Sequence, residues 1–83
     1  SNTSNSTTNE TKSTTKAYIG KTKAKQIALN HAGVSNPKNL EIEFDENDNE
    51  YSVEFKYNGY EYEYEINATT GIIKNNHKEK DKY

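Results

Sequence analysis

Six glutamates stand at alternate positions of segments that have the two-residue period of β-strands. They are Glu41, Glu43, Glu54, Glu61, Glu63 and Glu65. Paired carboxylates catalyse acid/base chemistry where a partly dry cleft raises the pKa of one of them. Side chains that alternate along strands share one face of the sheet, and an open face stays hydrated. We therefore expect a solubilising face or a docking face for a basic partner, in preference to a catalytic site.

The other motifs that suggest chemistry are weak. In residues 45–50 the first, third and fifth positions match an EF-hand calcium loop, but the sixth is Glu50 and the twelfth is Lys56, where glycine and glutamate are needed. A solvated hairpin loop is the favoured interpretation. The chain has no Cys, and neither His31 nor His77 has further ligands at metal-binding spacing. We predict no catalytic residue, no cofactor and no metal site.

Charge is unevenly distributed along the chain, although the formal net charge is only −2. Residues 1–38 contain six Lys and one Glu, whereas residues 39–66 contain ten acidic residues and one Lys. All 11 basic residues are lysine, so the planar guanidinium that reads phosphate and guanine with two hydrogen bonds is missing. We expect no nucleic-acid partner.

Residues 1–16 consist almost entirely of Ser, Thr, Asn and Lys. Such a composition buries too little apolar surface to offset the entropy of ordering, which predicts a disordered polar linker. Linkers of this kind commonly tether a domain to a membrane or a cell wall. No apolar run has the length of a membrane span, and a secretory leader could precede Ser1. We expect an extracellular domain of the cell envelope, either secreted or membrane-anchored.

A helix is predicted over residues 21–32. Ala24, Ile27, Ala28 and His31 have the spacing of one helical face, and His31 is expected to be a packing residue on that face. Gly33 supplies the left-handed residue that commonly ends a helix.

Three strands are predicted after the helix. Residues 40–45 and 51–57 alternate apolar and polar side chains, and the pair Asn58-Gly59 indicates a type I′ turn into a third strand that ends at Ile66. A two-residue turn sets the register, so the aromatic side of the hairpin is predicted to face the helix. A short terminal strand or a closing contact is expected at Ile72 and Ile73, and the chain beyond Asn75 is expected to fray.

These elements predict an α+β fold in which one N-terminal helix packs on a three- to four-stranded antiparallel meander sheet. The predicted boundaries are a linker at 1–16, a domain at 17–75 and a charged C-terminal tail at 76–83.

The order and spacing of these elements resemble the PepSY domain, which occurs in propeptides of metallopeptidases and in bacterial cell-envelope proteins. The resemblance rests on the helix from Tyr18 to Val34, the hairpin from Tyr51 to Ile66 and the closing segment from Ile66 to Ile73. Asn67 stands where the family usually has an acidic residue, and Ile72 where it usually has a polar one. The resemblance implies a somewhat cystatin-like fold and an extracytoplasmic module that inhibits or regulates peptidases, with no catalytic residues.

Two main functions remain open from the sequence, with a sensor of small ligands or cations as a minor third. The first is a non-catalytic module that binds a protein, with a peptidase as one candidate, through its acidic face or by adding a strand to an exposed sheet edge. The second is a structural spacer or self-associating domain of a cell-envelope lipoprotein. We expect a monomer or a weak homodimer, and the six glutamates are the candidate partner-binding residues.

Overall fold

A computed structural model of the chain describes residues 17–81. It contains one helix, α1 (Lys21–Ala32), followed by four strands, β1 (Lys38–Asp45), β2 (Glu50–Tyr57), β3 (Tyr60–Asn67) and β4 (Ile73–Lys80). The strands form one antiparallel sheet in the order β1-β2-β3-β4, a simple meander. The α+β prediction is confirmed. The predicted linker at 1–16 lies outside the described residues. Within residues 17–81 we find no helix with the length and apolar character of a membrane span.

Helix α1 ends where the sequence predicts. Gly33 has a φ of 72°, its N–H donates to the Asn30 carbonyl, and the N–H of Val34 donates to the Leu29 carbonyl. This pair of bonds is a Schellman motif, and the accompanying apolar contact comes from Val34, which is buried. The motif turns the chain back toward β1, so α1 lies across the sheet and contacts β1 and β2.

The core lies between α1 and the aromatic face of the hairpin. Its largest fully buried side chains are Phe55, Ile66 and Val53, packed against Ala24 and Ala28 of the helix. The register of β2 and β3 agrees with the prediction, from Tyr57 opposite Tyr60 to Tyr51 opposite Ile66. The two small alanines allow close approach of the helix, which is how so thin a domain excludes water from the sheet.

The helix covers less of the aromatic face than the sequence predicts. Tyr57 and Tyr60, next to the turn of the hairpin, remain 39% and 37% exposed. On the same side, the Lys78 ammonium lies 4.5 Å from the ring centre of Tyr60 and 5.6 Å from that of Tyr62. A lysine stem and its cation therefore cover the part of the face that the helix leaves open.

The predicted fraying beyond Asn75 is wrong for residues 76–80, which belong to β4. These residues pair with β3 from Glu65 opposite Asn75 to Tyr60 opposite Lys80. The segment has almost no apolar side chains, and for that reason its sequence resembles a solvated tail. Backbone pairing with the open edge of β3 needs no apolar side chains, and this pairing forms the fourth strand.

Candidate docking face

All six predicted glutamates lie on the side of the sheet opposite the helix, and we call this set the acidic face. Glu54 of β2 is directly opposite Glu41 of β1 and Glu63 of β3, and it is therefore flanked by carboxylates on both sides. Glu43 and Glu65 are both opposite Ser52, so they lie next to the same short polar side chain. The pairing of β1, β2 and β3 therefore places glutamates from all three strands side by side.

Glu54 lies at the centre of the acidic face, where four of the other five glutamates repel its negative charge. Partial desolvation in this position raises its pKa, and the carboxylates of Glu63, Glu41, Glu61 and Glu43 raise it further. Each neighbour disfavours the ionised form of Glu54 by like-charge repulsion. The acidic face thus carries an electrostatic cost that a cationic partner would relieve.

One further glutamate and one histidine extend the acidic face onto β4, and sequence reasoning missed both. Glu79 is opposite Glu61, and His77 is opposite Glu63. The Nε2 atom of His77 lies 3.3 Å from a carboxylate oxygen of Glu79. Residues 75, 77 and 79 alternate along β4, and this alternation would have placed His77 and Glu79 on the acidic face if the segment had been recognised as a strand.

Lys56 is the one lysine that the alternation of β2 puts on this face, opposite Glu61. Its ammonium pairs with the carboxylate of Asp81 at 3.5 Å, immediately after the end of β4. The chain N–H of Asp81 also donates to the carbonyl of Gly59, which holds this end of β4 against the hairpin turn. The cation therefore lies at one end of the acidic face and leaves the carboxylates around Glu54 in the middle.

Three of the carboxylates are close enough together to hold a metal ion. One oxygen from each of Glu54, Glu61 and Glu63 lies within 4.8 Å of the others. Carboxylate oxygens suit calcium, but that ion takes six to eight oxygen ligands. On an open sheet face, water would have to supply about half of them, which favours weak binding. The depressions beside these residues open to solvent, with volumes of about 90, 310 and 40 Å³.

The side chain of Asn67, where the family usually has an acidic residue, holds the loop after β3 in its conformation. The Oδ1 atom of Asn67 accepts hydrogen bonds from the backbone N–H groups of Thr69 and Thr70, both at 2.8 Å. An aspartate can accept the same two bonds, since an Asx turn uses the shared side-chain oxygen. The position therefore has a structural role that asparagine can perform.

A lysine ties the start of β2 to β4 near this loop. The Lys74 ammonium donates to a carboxylate oxygen of Glu50 at 2.8 Å and to the carbonyl of Asp48 at 3.2 Å. The hydrogen bond to Glu50 raises the pKa of Lys74. Glu50 is the only charged residue in the described part of the chain that is buried, at 7% exposure, and its charge is matched by this contact. Glu50 therefore belongs to the fold and not to the acidic face.

His31 lies at the edge of the helix, where it contacts the sheet. Its Nδ1 atom is 3.0 Å from the hydroxyl oxygen of Tyr64, and the two rings meet edge to face. Burial raises the pKa of Tyr64, with a smaller contribution from Tyr62. His31 is exposed on its other side, so it is a packing residue at the boundary between the helix and the sheet.

The fold and the acidic face define a small α+β domain whose sheet presents one charged, open surface. Comparison with known families is consistent with this class and identifies it further. The chain belongs to the PepSY family, described as the peptidase propeptide and YPEB domain, which matches residues 18–73. No curated protein and no solved structure gives a match. The match includes all six glutamates of the acidic face, and it ends at Ile73, where β4 begins.

Proposed function

We propose that this domain is a non-catalytic module that binds a protein partner through its acidic face, and that the partner is a peptidase or a protein that regulates one. Membership of a peptidase-propeptide-like family supports the peptidase as the partner class. The observation that carries the proposal is the register that places Glu41, Glu54 and Glu63 side by side on an open surface. Desolvation, and then these neighbouring carboxylates, raise the pKa of Glu54. A basic surface placed against them would remove repulsion that the isolated domain must bear.

The geometry supports recognition better than catalysis. Glu54 and Glu63 lie opposite each other on adjacent strands, but both side chains are exposed on an open surface. General acid catalysis needs a group that is held beside a bound substrate with water excluded. An open sheet face offers area for a second protein surface and no enclosure for a small substrate.

The proposal is tested by binding and inhibition assays with mature secreted metallopeptidases of the source organism. We expect a complex that weakens as salt is raised, because exposed charges are screened at short range. The variant in which Glu61, Glu63 and Glu65 are all changed to Gln should bind roughly tenfold more weakly, at about 0.5 kcal/mol for each charge pair lost. Its binding should also depend less on salt.

A matched control removes three charges from the opposite side of the domain. Changing Lys21, Lys23 and Lys25 of α1 to Gln should leave the affinity within about twofold of the wild type or raise it slightly through the net charge. Equal loss in both triple variants would contradict recognition by the acidic face. Absence of any binding or inhibition would instead favour the alternative function, a structural spacer or self-associating domain of a cell-envelope lipoprotein.

A further inference from the structure

Strand β1 is one edge of the sheet, and the turn between β2 and β3 shows which of its backbone groups point outward. Asn58 and Gly59 have φ values of 54° and 83°, as in a type I′ turn, so Tyr57 and Tyr60 form the hydrogen-bonded pair that closes the hairpin. Hydrogen-bonded pairs then recur at every second residue. The N–H of Ala68 donates to the Asn49 carbonyl, which confirms this alternation at the far end.

The same alternation extends across β2 to β1. The residues of β2 that do not bond to β3 are the ones that bond to β1, which makes Glu41, Glu43 and Asp45 the bonded residues of β1. The backbone N–H and C=O groups of Ile42 and Phe44 must therefore point away from the sheet. A register shift between residues 38 and 41 ends this regular run on one side. Within the described residues, no further strand pairs with this edge.

Side chains along this edge divide cleanly between the two faces. Leu40 and Ile42 are half-buried at the margin of the core, and Phe44 is 36% exposed. The Phe44 ring packs edge to face against Tyr18, which is also 36% exposed, with ring centres 4.7 Å apart. Glu41 and Glu43 project from the opposite face and are exposed. An added strand would thus meet apolar groups on one side and carboxylates on the other.

The other edge of the sheet is much less suited to pairing. The outward groups of β4 belong to Asn76, Lys78 and Lys80, and a register shift next to Ile66 interrupts the strand. Beyond Ile73 the strand has no apolar side chain, and lysines on an edge discourage further pairing. Of the two edges, β1 alone combines outward backbone groups with the apolar side chains that an added strand could pack against.

We propose that the β1 edge accepts an extended segment of a partner protein as a fifth strand, and that this segment alternates apolar residues with Lys or Arg. Its basic side chains would lie beside Glu41 and Glu43, and its apolar ones beside Leu40, Ile42 and Phe44. The inference rests on the proposed function and specifies its partner as an apolar-basic alternating strand.

Neither a second copy nor the chain's own N-terminal residues fit this edge as well. If β1 paired with β1 of another copy in antiparallel fashion about Ile42, Glu41 of each copy would lie beside Glu43 of the other on one face. Like charges directly across strands are destabilising. Residues 1–16 contain no Val, Ile, Leu, Phe or Tyr to fill the apolar positions.

The probe for this inference is a capped synthetic peptide of alternating valine and lysine. The control peptides have the same composition with all lysines at one end, or glutamate in place of lysine. We expect the alternating peptide alone to bind and to slow amide hydrogen exchange at Ile42 and Phe44 by roughly tenfold or more, as new hydrogen bonds form. The outward amides of Lys78 and Lys80 should exchange at an unchanged rate.

A proline on each edge provides a matched pair of variants. Ile42→Pro removes an outward N–H and leaves the bonds between β1 and β2 intact, which is where a sheet tolerates proline. It should weaken binding of the alternating peptide roughly tenfold or more, whereas Lys78→Pro on β4 should bind as the wild type does. Ile42→Val controls for loss of side-chain volume and should retain binding. The exchange measurement on the wild type remains decisive if Ile42→Pro does not fold.

Several outcomes would overturn strand addition. They are equal binding of the alternating and grouped peptides, full binding by Ile42→Pro, protection at β4 in place of β1, protection in the absence of peptide that disappears on dilution, or no binding at all. If Ile42→Pro still bound a peptidase while the triple Gln variant of the acidic face did not, the proposed function would stand and the strand addition alone would fail.

Discussion

Glu54 illustrates how the chemistry of one residue depends on strands that are distant in sequence. Its carboxylate is affected by Glu41 and Glu43 on one side and by Glu61 and Glu63 on the other. These neighbours come from β1 and β3, and they approach only because the register of both pairings is as observed. The repulsion among carboxylates of the acidic face thus depends on the strand register as well as on the number of glutamates.

Replacing Glu54 by Gln should make the domain more stable near neutral pH. The folded-state pKa of Glu54 lies above its ordinary value of 4.5, so the folded protein loses stability as the pH rises through that folded-state pKa. The variant avoids this loss, and we expect a gain of about 0.5 kcal/mol after solvent screening of an exposed group. The gain should shrink as the pH falls toward 4.5 and vanish well below 4.5, where the carboxyl is protonated in both states.

Urea unfolding followed by tyrosine fluorescence at neutral and acidic pH would measure this difference, since the chain has seven Tyr and no Trp. Glu46→Gln, in the exposed turn between β1 and β2, removes a glutamate outside the acidic face and should change stability little. A gain for Glu54→Gln that is the same at both pH values would rule out relief of charge repulsion as its cause.

Strand β4 shows how an element can form without the usual sequence pattern. Seven of the eight residues of β4 pair with β3, although only Ile73 is apolar, and they place His77 and Glu79 beside the acidic face. Lys78 covers the rings of Tyr60 and Tyr62, and Lys74 matches the buried charge of Glu50. The strand also converts β3 from an edge into an interior strand, which protects its backbone from other partners.

Truncation after Asn75 should therefore destabilise the domain. The backbone groups of Glu61 and Glu63 would lose their partners on β4, and we expect the free energy of unfolding to fall by about 1–2 kcal/mol after the entropy of ordering the segment is subtracted. Hydrogen exchange provides the residue-level measurement. The amides of Glu61 and Glu63 should exchange faster in the truncated chain.

The amides of Phe55 and Tyr62 serve as an internal control for this truncation. Their hydrogen bonds lie between β2 and β3, so they should stay protected relative to Glu61 and Glu63. If exchange at Glu61 and Glu63 were the same in both chains, residues 76–80 would not be paired in solution, and the frayed tail predicted from the sequence would be correct.

At the scale of the whole molecule, the two sides of the domain carry opposite charge. Helix α1 has Lys21, Lys23 and Lys25 and no acidic residue, and it covers one side of the sheet. The acidic face occupies the other side. The small net charge of −2 conceals this separation, which gives the domain one side suited to a basic partner.

This arrangement predicts that added salt stabilises the isolated domain. Raising NaCl from about 10 mM to about 150 mM shortens the Debye length from roughly 30 Å to roughly 8 Å and weakens repulsion across the acidic face. We expect the Tm to rise by a few degrees in thermal unfolding followed by circular dichroism. In the variant with Gln at positions 61, 63 and 65, the rise should fall by half or more.

The helix variant with Gln at positions 21, 23 and 25 is the control, and it should keep the full salt effect. A Tm that falls with salt in the wild type would show that attraction between the two sides outweighs repulsion within the acidic face.

The sequence by itself determined the local features of this protein. The bounds of α1, the turn at Asn58-Gly59, the register of β2 with β3 and the membership of all six glutamates on one face were predictable. Each depends on short-range rules, namely helical spacing, the geometry of a two-residue turn and alternation along a strand. The resemblance to the PepSY domain followed from the same features and was confirmed.

The tertiary structure alone decided what depends on contacts between distant segments. Strand β4 exists because β3 offers an unpaired edge, and Glu50 is buried because Lys74 reaches it from β4. His31 lies at the boundary of the helix because the sheet presents Tyr64 to it. Hydrophobic periodicity does not encode such effects, since they arise from backbone pairing and charge matching between residues that are far apart in the chain.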